Sequence, residues 1–184
     1  MWNKKEQEAV EFSFKAHEKQ KRKGTGISYV SHPMTVAVIL AKLNANQTQI
    51  LAGILHDILE DTEFKKTDIK RKFGTEVANL VEEVSESDKD MPYMERKERA
   101  AAKLFVISEE AVLVKAADVL SNMVDLITDL QRKSGEAFEI FNTDKNGKIK
   151  QMERVVKILV SRIKNKKLAE SLKKNLKKIK EYED

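Results

Sequence analysis

The run Gln47-Thr48-Gln49-Ile50-Leu51-Ala52-Gly53-Ile54-Leu55-His56-Asp57-Ile58-Leu59-Glu60-Asp61 joins an apolar segment to a short cluster of titratable side chains. Its apolar residues recur at helical spacing and cover almost the whole circumference of a helix. We therefore expect a helix from about Gln47 through Leu59, at the centre of the fold. The polar end, from His56 to Asp61, then lies in the interior, where ions are costly unless they are paired or bound to a metal.

The rest of the chain shows apolar residues three and four positions apart almost everywhere. This spacing predicts an all-α fold, and the length of 184 residues predicts a single compact helical domain over residues 1–184. The two glycines within 22–29 predict a loop, Pro33 suits the first turn of the next helix, and Thr67 is the expected N-cap of a short helix ending at Gly74. Further helices are expected over 4–20, 75–86, 94–106, 109–133, 148–164 and 167–182, with those of 135–182 packed on the preceding part.

The composition limits the classes of partner and the location. The chain has 35 lysines and arginines, 30 aspartates and glutamates and no cysteine, so neither a disulfide framework nor a thiolate metal site is available. No apolar stretch approaches the ~20 residues of a membrane span, and the N-terminus lacks a signal-peptide pattern. We expect a cytoplasmic protein without a membrane partner, and homo-oligomerisation is left open.

The C-terminal part is strongly basic, with eight lysines against the single acid Glu170 between Lys164 and Lys180. A solvated helix face is one interpretation and a nucleic-acid surface is the other. No aromatic side chain interleaves with these lysines, as stacking on bases would require. We therefore favour the solvated face and expect no nucleic-acid partner.

Four side chains form a candidate metal site: His32, His56, Asp57 and Asp118. The chain contains only three histidines, and imidazole with carboxylate suits a divalent ion such as manganese, iron or zinc. Each residue alone has a simpler explanation: His32 as a helix cap, His56 as a hydrogen-bonded core residue, Asp118 as the ion-pair partner of Lys115. Their joint occurrence favours the metal, whereas His17 fits no such set and is interpreted as structural or as pocket lining.

Two further acids, Glu60 and Asp61, follow one helical turn after His56 and Asp57. A metal ion beside spare carboxylates is the arrangement that hydrolysis needs, because a carboxylate can orient or deprotonate a metal-activated water. These residues are the candidate catalytic acids.

These residues and their neighbours resemble the HD metal-dependent phosphohydrolases, and within them the small alarmone hydrolases and the hydrolase domain of the RelA/SpoT enzymes. The resemblance spans about residues 5–130. It is carried by Ala16-His17-Glu18, Tyr29-Val30-Ser31-His32-Pro33, His56-Asp57-Ile58-Leu59-Glu60-Asp61-Thr62, Phe73-Gly74, Glu95-Arg96-Lys97 and Lys115-Ala116-Ala117-Asp118-Val119-Leu120-Ser121-Asn122.

The resemblance implies a cytoplasmic enzyme of the stringent response that removes the 3′-pyrophosphate of guanosine tetra- or pentaphosphate (ppGpp or pppGpp), giving GDP or GTP. It implies a manganese ion bound by the four side chains above, with Glu60 and Asp61 as catalytic residues. It also implies a set of substrate contacts, with Lys148 and Lys150 as additional candidates for phosphate binding. The implied contacts are Arg22, Lys23, Tyr29, Arg96, Lys97 and Asn122.

Other hypotheses remain open from the sequence. One keeps the HD site but acts on another nucleotide, as a nucleotidase or pyrophosphohydrolase, and another is a nucleotide-binding protein without turnover. The segment from Asn142 to Glu153 also approaches the spacing of an EF-hand calcium loop. An Asn-Gly turn before a helix, formed by Asn146 and Gly147, is the favoured alternative there.

Overall fold

The helices of this chain pack around one nearly apolar central helix. The computed structural model describes residues 3–86, 91–141 and 143–182, apart from the side chains of 133–135. The helices are α1 (Lys4–Ala16), α2 (Ser31–Lys42), α3 (Gln47–Leu55), α4 (Ile58–Asp61), α5 (Lys66–Phe73), α6 (Thr75–Val84), α7 (Tyr93–Lys103), α8 (Glu109–Lys133), α9 (Lys145–Arg162) and α10 (Lys166–Lys180). A 3-10 helix over Ser134–Phe138 follows α8, and the described ranges contain no β-strand. The all-α prediction is confirmed.

The central helix is α3, which packs against α1, α2, α6 and α8. Its apolar side chains, including Leu51, Ile54 and Leu55, are almost completely buried. The turn between α2 and α3 makes these two helices an antiparallel pair. The beginning of α2 therefore lies beside the end of α3, where the titratable cluster begins.

Helix α2 packs tightly against α3 at Gly53. A Cβ atom at this position would lie 2.5 Å from Leu40 Cδ1 and 3.3 Å from Val36 Cγ1. Such distances are shorter than ordinary contacts, so the absence of a side chain lets the two helices pack directly on each other. This contact determines the spacing of the helix ends that carry His32 and His56.

The longest helix, α8, has 25 residues and a length of about 37 Å. It contacts α2, α3, α6, α9 and α10, while α7 packs on α9. Packing of α10 along α8 and α9 agrees with the expected position of the C-terminal helices. The lysines of α10 are exposed, whereas Leu168, Leu172 and Ile179 are buried, as expected for a helix with one solvated face.

Two helix boundaries differ from the predictions in ways that affect the site. The predicted helix over 47–59 is divided, because α3 ends at Leu55 and α4 begins only at Ile58. The predicted first helix ends at Ala16, and the chain then turns back on itself through an isolated bridge between Lys21 and Ser28. The periodicity of apolar residues detects neither the break nor the turn.

The short fifth helix also begins earlier than predicted. Lys65 is its N-cap residue and Thr67 lies inside the helix. The side chain of Asp68 accepts a hydrogen bond from the Lys65 N–H, which stabilises this earlier start. The prediction of Thr67 as the cap is therefore wrong.

The EF-hand interpretation is also wrong. Residues from Lys145 onward form α9, whereas a calcium loop requires an extended segment that presents ligands at alternating positions. Asp144 caps α9 by accepting the Gly147 N–H at 2.6 Å, so the Asn146-Gly147 pair lies in the first helical turn and not before it. Asn142 lies outside the described residues.

The sequence predicts that no segment is long and apolar enough to span a membrane. None of the helices within the described ranges combines the length and the apolar character that crossing a bilayer requires.

We predict that Gly53→Val lowers the free energy of unfolding by about 1–3 kcal/mol, because the new side chain forces α2 and α3 apart. Urea unfolding followed by circular dichroism measures the change. The matched control is Gln47→Val, which introduces the same side chain at an exposed position of the same helix. Equal stability losses in the two variants would contradict the prediction.

Candidate metal centre and its cleft

Four side chains from three parts of the chain converge in the interior: His32 at the start of α2, His56 and Asp57 between α3 and α4, and Asp118 in α8. The two imidazole Nε2 atoms are 3.2 Å apart. Asp118 Oδ1 lies 3.1 Å from His32 Nε2 and 3.8 Å from His56 Nε2. The carboxylate oxygens of Asp57 lie 3.2 Å from His56 Nε2 and 3.7 Å from His32 Nε2.

The Nδ1 atom of each imidazole ring has a hydrogen-bond partner that fixes the orientation of the ring. His56 Nδ1 donates to the Gly53 carbonyl oxygen at 2.8 Å, and His32 Nδ1 lies 3.0 Å from the Ser121 hydroxyl. A carbonyl only accepts, so His56 Nδ1 carries the proton and its Nε2 is free to act as a ligand. Gly53 therefore contributes both the close helix contact and the orientation of His56.

The break between α3 and α4 brings His56 and Asp57 to the same point. Adjacent residues of a continuous helix point about 100° apart. Asp57 instead has a backbone ψ of −5°, and the helix resumes at Ile58. The Asp57 carboxylate thereby lies beside the Nε2 atoms of both His56 and His32. In a continuous helix over 47–59, His56 and Asp57 would point in more divergent directions.

The donor set fits a divalent cation. His32, His56 and Asp118 each offer one ligand atom, and these atoms lie within 4.8 Å of one another. All three side chains are buried, and Asp57 adds oxygens at the distances given above. Two imidazoles and two carboxylates suit manganese, iron or zinc, and burying both carboxylates so close together is costly without a cation between them.

The charges in this cluster act strongly on one another. Burial alone would lower the pKa of His56, but the neighbouring carboxylates of Asp57 and Asp118 outweigh it and raise that pKa to about 9. Burial opposes ionisation of Asp57, yet the two histidines hold its pKa below the ordinary value. Asp118 is likewise held ionised, chiefly by Lys115, whose Nζ lies 2.9 Å from Asp118 Oδ2. Asp118 thus pairs with Lys115 through one oxygen and faces the histidines through the other, so the ion pair leaves the second oxygen available to a metal.

The two candidate catalytic acids have different environments. Glu60 Oε1 accepts the Glu86 N–H at 2.6 Å, and burial raises the pKa of Glu60 to about 7 although Lys115 opposes the shift. Asp61 Oδ2 accepts a hydrogen bond from the Tyr29 hydroxyl at 3.1 Å. Glu60 therefore changes protonation near neutral pH.

Tyr29 connects the metal centre to Asp61. Its hydroxyl donates to Asp57 Oδ2 at 2.7 Å as well as to Asp61. Burial and the two carboxylates raise the pKa of Tyr29, so the phenol stays protonated as a donor. Gln20 holds the same region by donating to the Asp61 carbonyl oxygen at 2.5 Å, and its Oε1 lies 2.8 Å from His17 Nδ1. His17 is thus a buried structural residue beside the site, one of the two roles expected for it.

A cleft of about 1100 Å³ opens onto the candidate metal ligand Asp118 and the acid Asp61. Of the predicted substrate contacts, all but Arg96 line the cleft. Arg96 instead points towards Glu86, with Nε 3.5 Å from Glu86 Oε2, and towards the Tyr93 ring. The lining residues among the predictions are Arg22, Lys23, Tyr29, Lys97 and Asn122, together with Lys148 and Lys150.

Arg22 is already ordered in the cleft. Its Nη2 donates to Asn122 Oδ1 at 3.0 Å and to Asp125 Oδ2 at 2.5 Å, and its guanidinium lies 5.7 Å from the centre of the Tyr29 ring. Asn122 in turn donates to Asp118 Oδ1 at 2.6 Å. A continuous hydrogen-bonded path therefore runs from Arg22 to the metal centre.

The match to protein-family models is independent of this geometry. The HD domain model matches residues 9–143, most of the chain. The chain belongs to the HD domain family. The matched range includes His32, His56, Asp57 and Asp118, and it ends before α9. The resemblance drawn from the sequence is confirmed.

Curated relatives of this HD domain carry specific names. Guanosine-3′,5′-bis(diphosphate) 3′-pyrophosphohydrolase MESH1 of Homo sapiens is 41% identical over 123 residues, which cover 65% of this chain and 68% of the relative. The protein of the same enzyme name from Aquifex aeolicus (strain VF5) is 39% identical over 122 residues, 65% of this chain but 17% of the relative. The bifunctional (p)ppGpp synthase/hydrolase SpoT of Escherichia coli (strain K12) is 38% identical over 114 residues, 59% of this chain and 16% of SpoT.

Two solved structures share the fold. A metazoan ortholog of SpoT, described as hydrolysing ppGpp and playing a role in starvation responses, superimposes with a TM-score of 0.83 at 27% identity and covers 96% of each chain. A crystal structure from Listeria monocytogenes EGD-e gives a TM-score of 0.71 at 25% identity, covering 81% of this chain and 96% of the other. The helical arrangement of this chain is therefore shared with both solved structures.

Several residues of the HD site were not predicted from the sequence. Glu86 binds Lys97 through both carboxylate oxygens, at 2.6 and 2.8 Å, and holds Glu60 through its backbone N–H. Ser85 is buried and Glu86 lines the cleft, while residues 87–90 lie outside the described ranges. Gln20 and Asp125 were missed because their partners lie far away in the chain.

We predict that protein stripped of metal with EDTA loses stability as the pH rises from about 6.5 to about 9, because the folded protein holds a proton on His56 more tightly than the unfolded chain does. The contribution is complete below pH 6.5 and lost above pH 9, and it amounts to a loss on the order of 3 kcal/mol. Urea unfolding at several pH values measures it.

The control for this prediction is His56→Gln, which removes the titrating group. Its unfolding free energy should change little over the same pH interval. An unaltered slope in this variant would contradict the assignment of the pH dependence to His56.

Proposed function

We propose that this HD domain is a metal-dependent hydrolase that removes the 3′-pyrophosphate of guanosine tetra- or pentaphosphate. The observation that carries the proposal is the convergence of His32, His56, Asp57 and Asp118 in the interior, beside a cleft whose lining includes Asp118 and Asp61. The names of its relatives support the choice of substrate. The cleft volume of about 1100 Å³ exceeds what one nucleotide needs.

The reaction is a hydrolysis at the phosphorus attached to the ribose 3′ oxygen. Water adds its oxygen to that phosphorus, the bond from phosphorus to the 3′ oxygen breaks, and a proton is transferred to the 3′ oxygen. The products are GDP or GTP and pyrophosphate. The four side chains would hold a divalent ion, which we assign as manganese, and such an ion would activate water and offset phosphoryl charge.

Glu60 and Asp61 have different roles in this proposal. Glu60, with a pKa of about 7, is the group that accepts the proton of the attacking water at neutral pH. Asp61 accepts the Tyr29 hydrogen bond and its carbonyl is held by Gln20, so its carboxylate is positioned to orient the water or the leaving group.

In this proposal the guanosine binds on the side of the cleft formed by the loop that follows α1. Arg22, held by Asn122 and Asp125, presents a planar guanidinium on which a base can stack. Lys23 and Lys97 also line the cleft and supply positive charge for phosphates. Arg96 supports this arrangement through Glu86 and does not contact substrate in this proposal.

The chain is further proposed to act as one domain in the cytoplasm of its cell. The absence of cysteine suits a reducing compartment. Homo-oligomerisation stays open.

We predict that His56→Ala and Asp57→Ala each abolish release of pyrophosphate from guanosine tetraphosphate in the presence of manganese. Each variant removes a ligand of the metal, and metal analysis should show less bound ion than in the unmodified protein. Lys157→Ala, at an exposed position of α9 outside the cleft, should keep full activity. Failure of the unmodified protein to hydrolyse this substrate with manganese, magnesium, iron or zinc would end the proposal.

A panel of nucleotides separates this function from the other HD activities. Guanosine tetraphosphate should be hydrolysed, whereas GTP, ATP and nucleoside monophosphates, which lack a 3′-diphosphate, should not. Faster turnover of any of these would assign the site to a nucleotidase or another pyrophosphohydrolase.

We predict that kcat rises with pH through about 7 in the unmodified enzyme, because Glu60 must be ionised to accept a proton. Glu60→Gln should lower kcat by about 100-fold or more and remove this rise. Steady-state kinetics from pH 5.5 to 9 measure both effects. Persistence of the rise in Glu60→Gln would assign it to the metal-bound water instead.

A further inference from the structure

His17 caps the C-terminal end of α1 and is almost completely buried, and it is not among the described residues that line the cleft. Its two side-chain neighbours, Gln20 and Tyr29, do line the cleft. A ligand in the cleft is therefore out of direct reach of the imidazole. Any influence of His17 on the reaction has to pass through these two neighbours.

The side-chain amide of Gln20 lies between His17 and Asp61. Its Nε2 donates to the Asp61 carbonyl oxygen at 2.5 Å, and its Oε1 lies 2.8 Å from His17 Nδ1. A carbonyl oxygen only accepts, so the NH2 group of Gln20 faces Asp61 and the amide oxygen faces His17. His17 Nδ1 therefore carries a proton and donates it to Gln20. The reversed amide would oppose two oxygens at one end and two N–H donors at the other.

The second ring nitrogen of His17 agrees with this tautomer. Nε2 is buried and has no hydrogen-bond partner among the described residues. A proton on Nε2 would be a buried donor without an acceptor, which is costly. The neutral ring with its proton on Nδ1 is therefore the form that fits this environment.

Backbone and ring contacts join the same residues a second time. The Gln20 N–H donates to the His17 carbonyl oxygen at 2.9 Å, and the Tyr29 N–H donates to the Gln20 carbonyl oxygen at 3.0 Å. The rings of His17 and Tyr29 pack with their centres 4.9 Å apart, and the Tyr29 hydroxyl donates to Asp61 Oδ2 at 3.1 Å. These four residues form a closed ring of contacts that holds both the backbone and the carboxylate of Asp61.

We propose that His17 is a positioning residue, which fixes the Asp61 carboxylate by donating to Gln20 and by packing on Tyr29. The proposal rests on the proposed function, in which Asp61 orients the attacking water or the leaving group. His17 itself touches no reacting atom. Because the rate depends steeply on the placement of catalytic groups, loss of the Nδ1 donor lowers kcat and leaves substrate binding nearly unchanged.

Two substitutions separate the donor of His17 from its ring. His17→Phe keeps an aromatic ring beside Tyr29 but has no donor, whereas His17→Asn places an amide N–H near the position of Nδ1 but has no ring. Steady-state kinetics with guanosine tetraphosphate and manganese should show kcat about 10- to 100-fold lower in His17→Phe, with KM changed by less than about twofold. His17→Asn should recover most of the lost kcat. A larger change in KM than in kcat would overturn the proposal.

The path through Gln20 is tested by combining substitutions. Gln20→Leu removes the amide that joins His17 to Asp61, so adding His17→Phe to it should lower kcat by less than about twofold more. Losses that multiply would overturn the proposal. The matched control is Ala9→Gly, a change at another buried residue of α1, which should lower stability and leave kcat unchanged. A purely structural His17 would behave like this control.

Two measurements without turnover locate the effect. Manganese binding should be the same in His17→Phe and the unmodified protein, because none of the four candidate ligands is changed; loss of bound metal would overturn the proposal by placing the effect at the metal centre. In the unmodified protein, NMR correlation of the His17 ring nitrogens with the ring protons should show the proton on Nδ1. A proton on Nε2 instead would also overturn the proposal.

Failure of this inference differs from failure of the proposed function. An active guanosine tetraphosphate hydrolase in which His17→Phe keeps its kcat would overturn the positioning role alone. A protein that hydrolyses a different nucleotide would overturn the substrate assignment. The kcat values of His17→Phe and His17→Asn measured with that nucleotide would then decide the role of His17 by the same criteria.

Discussion

Placing two imidazole nitrogens and two carboxylates side by side in the interior is the constraint on which the rest of this HD domain depends. The Nε2 atoms of His32 and His56 are 3.2 Å apart and face Asp57 and Asp118. Such a cluster is stable only with compensating charge and firmly held rings. The close contact at Gly53, the carbonyl that holds His56 and the lysine beside Asp118 all serve this requirement.

The charges around the centre continue outward as alternating pairs. Lys115 lies against Asp118 and influences Glu60, while Glu86 holds Glu60 through its backbone and Lys97 through its side chain. Each of these five charged side chains therefore has an opposite charge nearby, which limits the cost of burial. It also means that the protonation state of Glu60 depends on groups that lie on α7 and α8 as well as on its own helix.

Much of this arrangement could be predicted from the sequence, because it follows from local patterns. Helical periodicity identified the elements, and the scarcity of histidine singled out His32 and His56, which the structure brings together with Asp57 and Asp118. The break at His56-Asp57 was not predicted, since it depends on backbone angles that residue spacing does not encode. The family resemblance suggested Arg96 as a substrate contact, but no local pattern shows that its side chain turns to Glu86.

Contacts between distant parts of the chain account for the other omissions. Gln20 was placed inside a helix by its spacing, yet the helix ends earlier and its amide reaches the carbonyl of Asp61, 41 residues away. Glu86 and Asp125 are ordinary surface acids by sequence and gain their roles only from Lys97 and Arg22. These partners are determined by how the helices pack in three dimensions, which the spacing of residues in the sequence does not reveal.

The Tyr29 phenol links the segment that meets an entering ligand to the two carboxylates of the candidate site. One hydroxyl donates to Asp57 and to Asp61, while the same residue belongs to the segment that carries Arg22 and Lys23. A nucleotide that displaces this segment would disturb the hydrogen bonds of Tyr29 to both Asp57 and Asp61. A nucleotide that orders the segment would strengthen both. The Tyr29 hydroxyl therefore links the segment that contacts a ligand to the positions of Asp57 and Asp61.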